Sequence, residues 1–330
     1  MTRKYELCGL GNAIVDVIAS GTDELLAALD IQKGGMTLID QMRAQKIYNA
    51  MGPGKETSGG SAANTMAGFA SFGGKGAYMG KVADDQLGRI FAHDLKAVGI
   101  DFFYTPLKGG PETASCLIIV TPDAQRSMNT FLGACVEFSE SDVDEAVIRD
   151  SQIIYLEGYL FDKDTAKAAY LKATKIAKSA GTKVALTLSD SFCVERHRAD
   201  FQNLIKNDVD ILFANETEIM ALYQSKTFDD AVASVRGQCD IIAITRSEKG
   251  SVVVTPETMD TVPAAPVTKV VDTTGAGDQY AAGFLFGVSR GMALVDCAAL
   301  GSLAASEVIS HVGPRPEASL ADLAHQGLAA

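Results

Sequence analysis

The chain lacks the pairings through which cysteine and histidine hold metals. Its six cysteines (Cys8, Cys116, Cys135, Cys193, Cys239 and Cys297) form no CxxC pair, and no histidine cluster accompanies them. That spacing argues against a zinc site. Scattered lone cysteines in a chain of 330 residues behave as small buried hydrophobes in a reducing compartment. A surplus of basic charge is also missing. The formal net charge is −12, which repels nucleic acid and anionic membranes, so neither is an expected partner. A small anionic ligand can still meet a locally positive site. The N-terminus has no basic segment leading into an apolar run with a cleavage site. The most apolar stretch, residues 280–309, is broken by Arg290 and Asp296 and is rich in Gly, Ala and Ser. It reads as two buried core helices rather than a membrane span. The expectation is a soluble cytoplasmic protein. Three familiar nucleotide signatures are absent as well: there is no GxxxxGK[ST], Gly9-Leu10-Gly11-Asn12 does not continue as GxGxxG, and no protein-kinase catalytic loop occurs.

What is present is a large core, with 47% hydrophobic and 21% charged residues. An apolar strand pattern opens the chain at 6–19. A small-residue helix follows at 61–72, then a short strand at 77–80. Asp84-Asp85 caps a helix whose apolar face is Leu87, Ile90, Phe91, Leu95 and Val98. From residue 150, strands at 152–156, 183–188, 209–213 and 240–245 alternate with helices at 164–179, 196–206, 216–223 and 229–236. Short continuous apolar strands between helices imply a parallel sheet buried on both faces. Two stretches break this rhythm, at about 16–45 and 101–132. The second contains runs at 101–105, 113–121 and 126–132 with turn signals between them. These read as antiparallel strands inserted into an α/β scaffold, either as a flap that excludes water or as an edge extension of the main sheet.

Four segments carry candidate chemistry. Asp272-Thr273-Thr274-Gly275-Ala276-Gly277-Asp278 precedes an apolar helix. Glycines at a helix start let unpaired N–H groups approach an anion, and Asp278 in the first turn can accept the proton of an attacking hydroxyl. Ser58-Gly59-Gly60-Ser61-Ala62-Ala63-Asn64 also enters a helix. There Gly59 and Gly60 permit close approach and Asn64 suits a hydroxyl-rich ligand. Gly11-Asn12-Ala13-Ile14-Val15-Asp16 places Asp16 late in an apolar strand, either as a turn aspartate or as an acceptor for vicinal hydroxyls. Asn215-Glu216-Thr217-Glu218 is a capping box by pattern, or a pair of oxygen donors near Mg²⁺ through water.

Together these segments resemble the PfkB, or ribokinase-like, carbohydrate and nucleoside kinases. Gly59 to Asn64, then Gly80-Lys81-Val82-Ala83-Asp84-Asp85-Gln86-Leu87-Gly88, Asn215 to Glu218 and Asp272 to Asp278 occur in the family order over nearly the whole chain. The resemblance implies one domain over 1–330: a central, mainly parallel sheet flanked by helices, with a small β-sheet lid. It implies ATP as co-substrate, Asp278 as catalytic base, and the amides of Gly275, Ala276 and Gly277 as an anion hole. Asn12, Asp16, Gly59, Gly60 and Asn64 then hold sugar or ribose hydroxyls. Asn215 and Glu218 organise Mg²⁺ and phosphate, and Asp272 and Thr274 fall in a loop that binds a monovalent cation such as K⁺ in many members. Thr245, Ser247 and Gly250 match the nucleotide-binding turn, with Ser247 in place of the usual glycine. Arg126 matches a lid arginine that reaches the phosphates. Both monomers and lid-mediated homodimers occur in this fold. Residues 210–218, 188–192 and Arg126 resemble the adenosine kinase version of these motifs, and Tyr159, Leu160 and Phe161 are candidates for a wall against a purine. Glu157 departs from that version, where a small neutral residue is usual. Adenosine is the expected acceptor; a free sugar such as ribose, fructose or 2-keto-3-deoxygluconate is the alternative.

Overall fold

The computed structural model describes residues 3–123 and 125–328. Among the described residues, fourteen strands form two sheets. They are β1 (Tyr5–Leu10), β2 (Ile14–Ser20), β3 (Met36–Leu38), β4 (Gly54–Gly59), β5 (Gly76–Met79), β6 (Ile100–Phe103), β7 (Ala114–Val120), β8 (Arg126–Phe131), β9 (Ser151–Glu157), β10 (Lys183–Thr187), β11 (Ile211–Asn215), β12 (Ile241–Thr245), β13 (Ser251–Val254) and β14 (Met259–Val262). The larger sheet has the order β14-β13-β12-β11-β10-β9-β1-β5-β6. Seven of its strands run parallel, from β6 to β12, and β13 and β14 close one edge antiparallel.

Its strands are continuous apolar runs because alternate residues feed two different cores. In β9, Ile154 and Leu156 pack into one core, and Ile153 and Tyr155 into the other. In β11 the split is Leu212 and Ala214 against Ile211 and Phe213. Helices cover both faces, as a parallel sheet requires. All six cysteines are buried and unbridged. Among the described residues no helix is long and apolar enough to cross a membrane.

The smaller sheet has the order β3-β8-β7-β2-β4 and mixes parallel and antiparallel pairs. The two sheets differ from the sequence reading in two places and decide between its alternatives in a third. The apolar run at 6–19 is two strands: β1 lies in the larger sheet, and the chain crosses at Gly11-Asn12-Ala13 into the smaller one as β2. The run expected at 101–105 follows the second of its two readings, an edge extension of the main sheet: Ile100–Phe103 pairs in parallel with β5 at the edge of the larger sheet. Finally, Gly54–Gly59 adds an edge strand beside β2 that its polar sequence does not announce.

Strand order reverses at β1, with β9 on one side and β5 on the other. The crevice beyond the carboxyl ends of β1 and β9 is therefore the topological switch point where open α/β sheets receive ligands.

Candidate active site

Two helix N-termini meet at this crevice. Helix Ser61–Ser71 starts from Gly60 at φ +88°, and helix Ala276–Ser289 from Gly275 at φ +80°. Both values lie in the left-handed region that side chains avoid. Space excludes a side chain too. A Cβ on Gly60 would overlap the Asn12 carbonyl oxygen, and one on Gly275 would sit 2.6 Å from Pro314. A Cβ on Gly59 would meet the Asp16 carboxylate. The glycine pair therefore clears the room in which Asn12 and Asp16 sit.

Asp278, in the first turn of Ala276–Ser289, joins the two helices. Ser61 Oγ donates to Asp278 Oδ1 at 2.6 Å, and Asn64 Nδ2 donates to Oδ2 at 3.3 Å. Burial pushes the Asp278 carboxyl up to about 6, against the opposing pull of those two donors and of Arg315. Asp16 on β2 is likewise raised to about 6 by burial, partly offset by Arg315 and Arg126.

On the other side of Asp278 lies a cavity of about 770 Å³ along the carboxyl ends of β10, β11 and β12. Asn215, Glu218, Thr245, Ser247, Gly250 and Gly277 are among its lining residues, and Asp278 is part of its wall. Ser247 adopts φ +52° and Gly250 φ +84°, so Ser247 holds a conformation that suits glycine.

Asn215 and Glu218 form a capping box. Glu218 Oε2 accepts from Asn215 N at 2.9 Å, and Asn215 Oδ1 accepts from Glu218 N at 2.8 Å. Burial raises the Glu218 carboxyl to about 7, with Asp190 and Asp278 adding to the rise.

The chain matches the family model described as pfkB family carbohydrate kinase over residues 33–320. The chain belongs to this family. It is therefore a kinase that uses ATP and a small-molecule acceptor. An adenosine kinase structure from Sinorhizobium meliloti is 52% identical, with a TM-score of 0.90 over 98% of this chain and 99% of that one. A probable sugar kinase structure from Rhizobium etli CFN 42 is 47% identical, with a TM-score of 0.91 over 98% and 99%. Among curated relatives, 5-dehydro-2-deoxygluconokinase of Halalkalibacterium halodurans is 29% identical over 76% of this chain and 79% of its own length.

Within this kinase fold, the expected purine wall is split between core and crevice. Phe161 turns away from the crevice into the core; it is 4% exposed, stacked on Phe201 at 4.6 Å and edge-on to Tyr170. Tyr159 stays at the surface, 37% exposed, its hydroxyl donating to the Ser189 carbonyl. Glu157, at the end of β9, spends its carboxylate internally. Asn12 Nδ2 donates to Oε1 at 3.0 Å and the Ala62 amide to Oε2 at 2.8 Å. Burial raises Glu157 to about 7, and Asn12 Oδ1 is left buried without a partner.

Arg126 on β8 is paired with Asp272 rather than left free. Asp272 Oδ1 also accepts from Thr274 N at 3.0 Å and Thr274 Oγ1 at 2.7 Å, and Oδ2 from Gly313 N at 3.0 Å. Four donors thus fill the Asp272 carboxylate in this arrangement.

Sequence reasoning missed three contributors. Ser61 lies inside a segment it singled out, and Ser58 at that segment's start. Arg315 sits in Gly313-Pro314-Arg315-Pro316 with no periodicity or motif to mark it. Its Nε donates to Asn64 Oδ1 at 3.1 Å and its Nη1 to Ser58 Oγ at 2.7 Å.

Proposed function

We propose that the protein transfers the γ-phosphoryl group of ATP to the 5′-hydroxyl of adenosine, with Asp278 as the base. One observation carries the reading: Asp278 bridges the cavity and the acceptor-side residues Ser61 and Asn64. A hydroxyl placed against Ser61 and Asn64 lies within reach of a carboxylate that also borders the phosphate position. Phosphoryl transfer depends on such positioning and charge stabilisation. Asp278 accepts the hydroxyl proton as the new O–P bond forms and the bond to the ADP oxygen breaks. The N–H groups of Gly275, Ala276 and Gly277 surround the start of a helix whose dipole favours the transferring anion.

Asn215 and Glu218 would hold Mg²⁺ through water. Their mutual hydrogen bonds leave them little direct coordination, while the raised Glu218 carboxyl beside Asp190 and Asp278 marks an uncompensated negative corner. When bound, the ion would neutralise phosphate charge there. Asn12 Oδ1 and Asp16 supply acceptors for the hydroxyls of a ribose. Thr245, Ser247 and Gly250 flank the nucleotide side.

Adenosine is favoured by the 52% identity to the Sinorhizobium meliloti protein and by Tyr159, an aromatic ring left exposed near the crevice. The second reading, a sugar kinase with the same chemistry, draws on the Rhizobium etli and Halalkalibacterium halodurans relatives. A coupled ADP-release assay with adenosine, ribose, fructose and 2-keto-3-deoxygluconate separates the two. Adenosine should turn over best. Turnover of a free sugar without adenosine would replace the first reading by the second.

A further inference from the structure

We propose that Arg315 is a positioning residue of the acceptor site, which fixes the Asn64 amide toward Asp278 and anchors Ser58 of β4, the strand paired with β2. The proposal rests on Asp278 as the base.

The segment bearing Arg315 is clamped on the start of the catalytic helix. The Gly313 N–H donates to Asp272 Oδ2 at 3.0 Å, and the Pro314 carbonyl accepts from Gln279 Nε2 at 2.9 Å. Gln279 Nε2 also donates to the Asn64 carbonyl at 3.0 Å, which ties the same segment to helix Ser61–Ser71. The glycine at 275 is what lets Pro314 approach so closely. Three points of attachment therefore set where the guanidinium lies.

A guanidinium has only donors. With Nε–H on Asn64, the amide must present its oxygen to Arg315 and hence its NH₂ to Asp278. Rotating that amide by half a turn would set NH₂ against the cation and oxygen against the carboxylate, two repulsions at once. Nη1 simultaneously holds Ser58, whose own N–H donates to Asp94 Oδ2 at 2.9 Å. One side chain thus links β4, helix Ser61–Ser71 and the base. Its guanidinium is partly buried, with Nη2 enclosed, and burial lowers its pKa while Asp16, Asp94, Tyr78 and Asp278 oppose that fall. The charged or titratable groups facing Asp278 are Arg315, Glu157 and Tyr155 of β9, Tyr159, and Glu218. Arg315 is the cation among them, so it is the group whose removal would raise the base.

The test uses the full chain with ATP, Mg²⁺ and whichever acceptor turns over best, and follows kcat, KM and the pH profile for Arg315→Met, Arg315→Lys, Asn64→Ala and Asp278→Asn. Arg315→Met should lower kcat by about 10–100-fold and move the acid limb upward, with the KM for ATP unchanged. Arg315→Lys keeps the charge but replaces the rigid fork, whose Nε and Nη1 address Asn64 and Ser58 separately, by a single flexible ammonium, so kcat should fall with the acid limb in place. Adding Asn64→Ala to Arg315→Lys should cost less than the sum of the separate losses.

A wild-type kcat in Arg315→Lys, or losses that add fully with Asn64→Ala, would overturn the proposal; both readouts stand even where Arg315→Met does not fold. So would a folded Arg315→Met with an unshifted acid limb while Asp278→Asn is inactive. An active Asp278→Asn would instead remove the base reading itself.

Discussion

Replacing Asp278 by asparagine should harm the reaction and help the fold, and the second effect carries a pH signature. The carboxyl titrates at about 6 in the folded chain against an ordinary 3.8. The native state therefore holds this proton more tightly than the unfolded chain does. A raised folded value means that the stability contribution is fully present below about pH 4 and is lost as pH rises through about 6. Above that window the ionised side chain costs the fold about 3 kcal/mol, a little over two units at about 1.4 kcal/mol each. Asparagine removes the charge while keeping most of the hydrogen bonding: its Oδ1 can accept from Asn64 Nδ2, and its Nδ2 can donate to Ser61 Oγ. Without nucleotide, urea unfolding of Asp278→Asn at pH 7.5 should show a gain of about 1–3 kcal/mol. The gain should shrink as pH approaches 4. Turnover should fall by about 10²–10⁴. A variant less stable than wild type at pH 7.5, or a gain that stays constant down to pH 4.5, would refute the burial argument even if activity were lost.

Two further substitutions probe the backbone around the site. Gly60→Ala combines a left-handed φ with overlap on the Asn12 carbonyl, so urea or thermal unfolding should register a loss of about 2 kcal/mol or more. An alanine variant of wild-type stability would contradict the close-approach account. Ser247→Gly should act in the opposite sense: relief of about 1–2 kcal/mol of left-handed strain exceeds the added unfolded-state entropy of about 0.5–1 kcal/mol. The same unfolding measurement should show a modest gain, and a loss would mean that the serine hydroxyl matters more than its φ.

The larger sheet was legible because its strands are buried on both faces, which leaves a continuous apolar run between helices for every strand from β9 to β12. The smaller sheet was harder for physical reasons. Gly54–Gly59 carries almost no apolar signal, since β2 and the helix Gln86–Ala97 beside it supply its partners. The sequence Ile100-Asp101-Phe102-Phe103 would suit the edge of either sheet, and only pairing with β5 decides between them. In the site, residues constrained by backbone were readable: Gly59, Gly60 and Gly275 stand where a side chain has no room. Phe161 was misread because an apolar residue next to a crevice looks the same whether it faces the cavity or the core. Arg315 left no trace because its role depends on helix Leu294–Val308 returning the chain over Ala276–Ser289, a tertiary event without a local pattern.

The charges at the crevice explain why burial dominates its titrations. Asp16, Glu157, Glu218 and Asp278 are all raised chiefly by burial. Among the described residues, two guanidinium groups oppose the rise at Asp16 and one of them, Arg315, that at Asp278, and they are not equivalent. Arg126, at the start of β8, is engaged by Asp272, whereas Arg315 interacts electrostatically with both Asp16 and Asp278. Glu157 needs no cation, because the Asn12 amide and the Ala62 N–H at a helix start satisfy it. Asp278 cannot be satisfied in that way and still work. A base held by many strong donors would have too low a pKa to take a proton, and one held by none would stay protonated at neutral pH. Two neutral donors, Ser61 and Asn64, backed by one partly buried cation that does not touch the carboxylate, leave it near 6: ionised at pH 7, yet still basic enough to accept the proton of an acceptor hydroxyl.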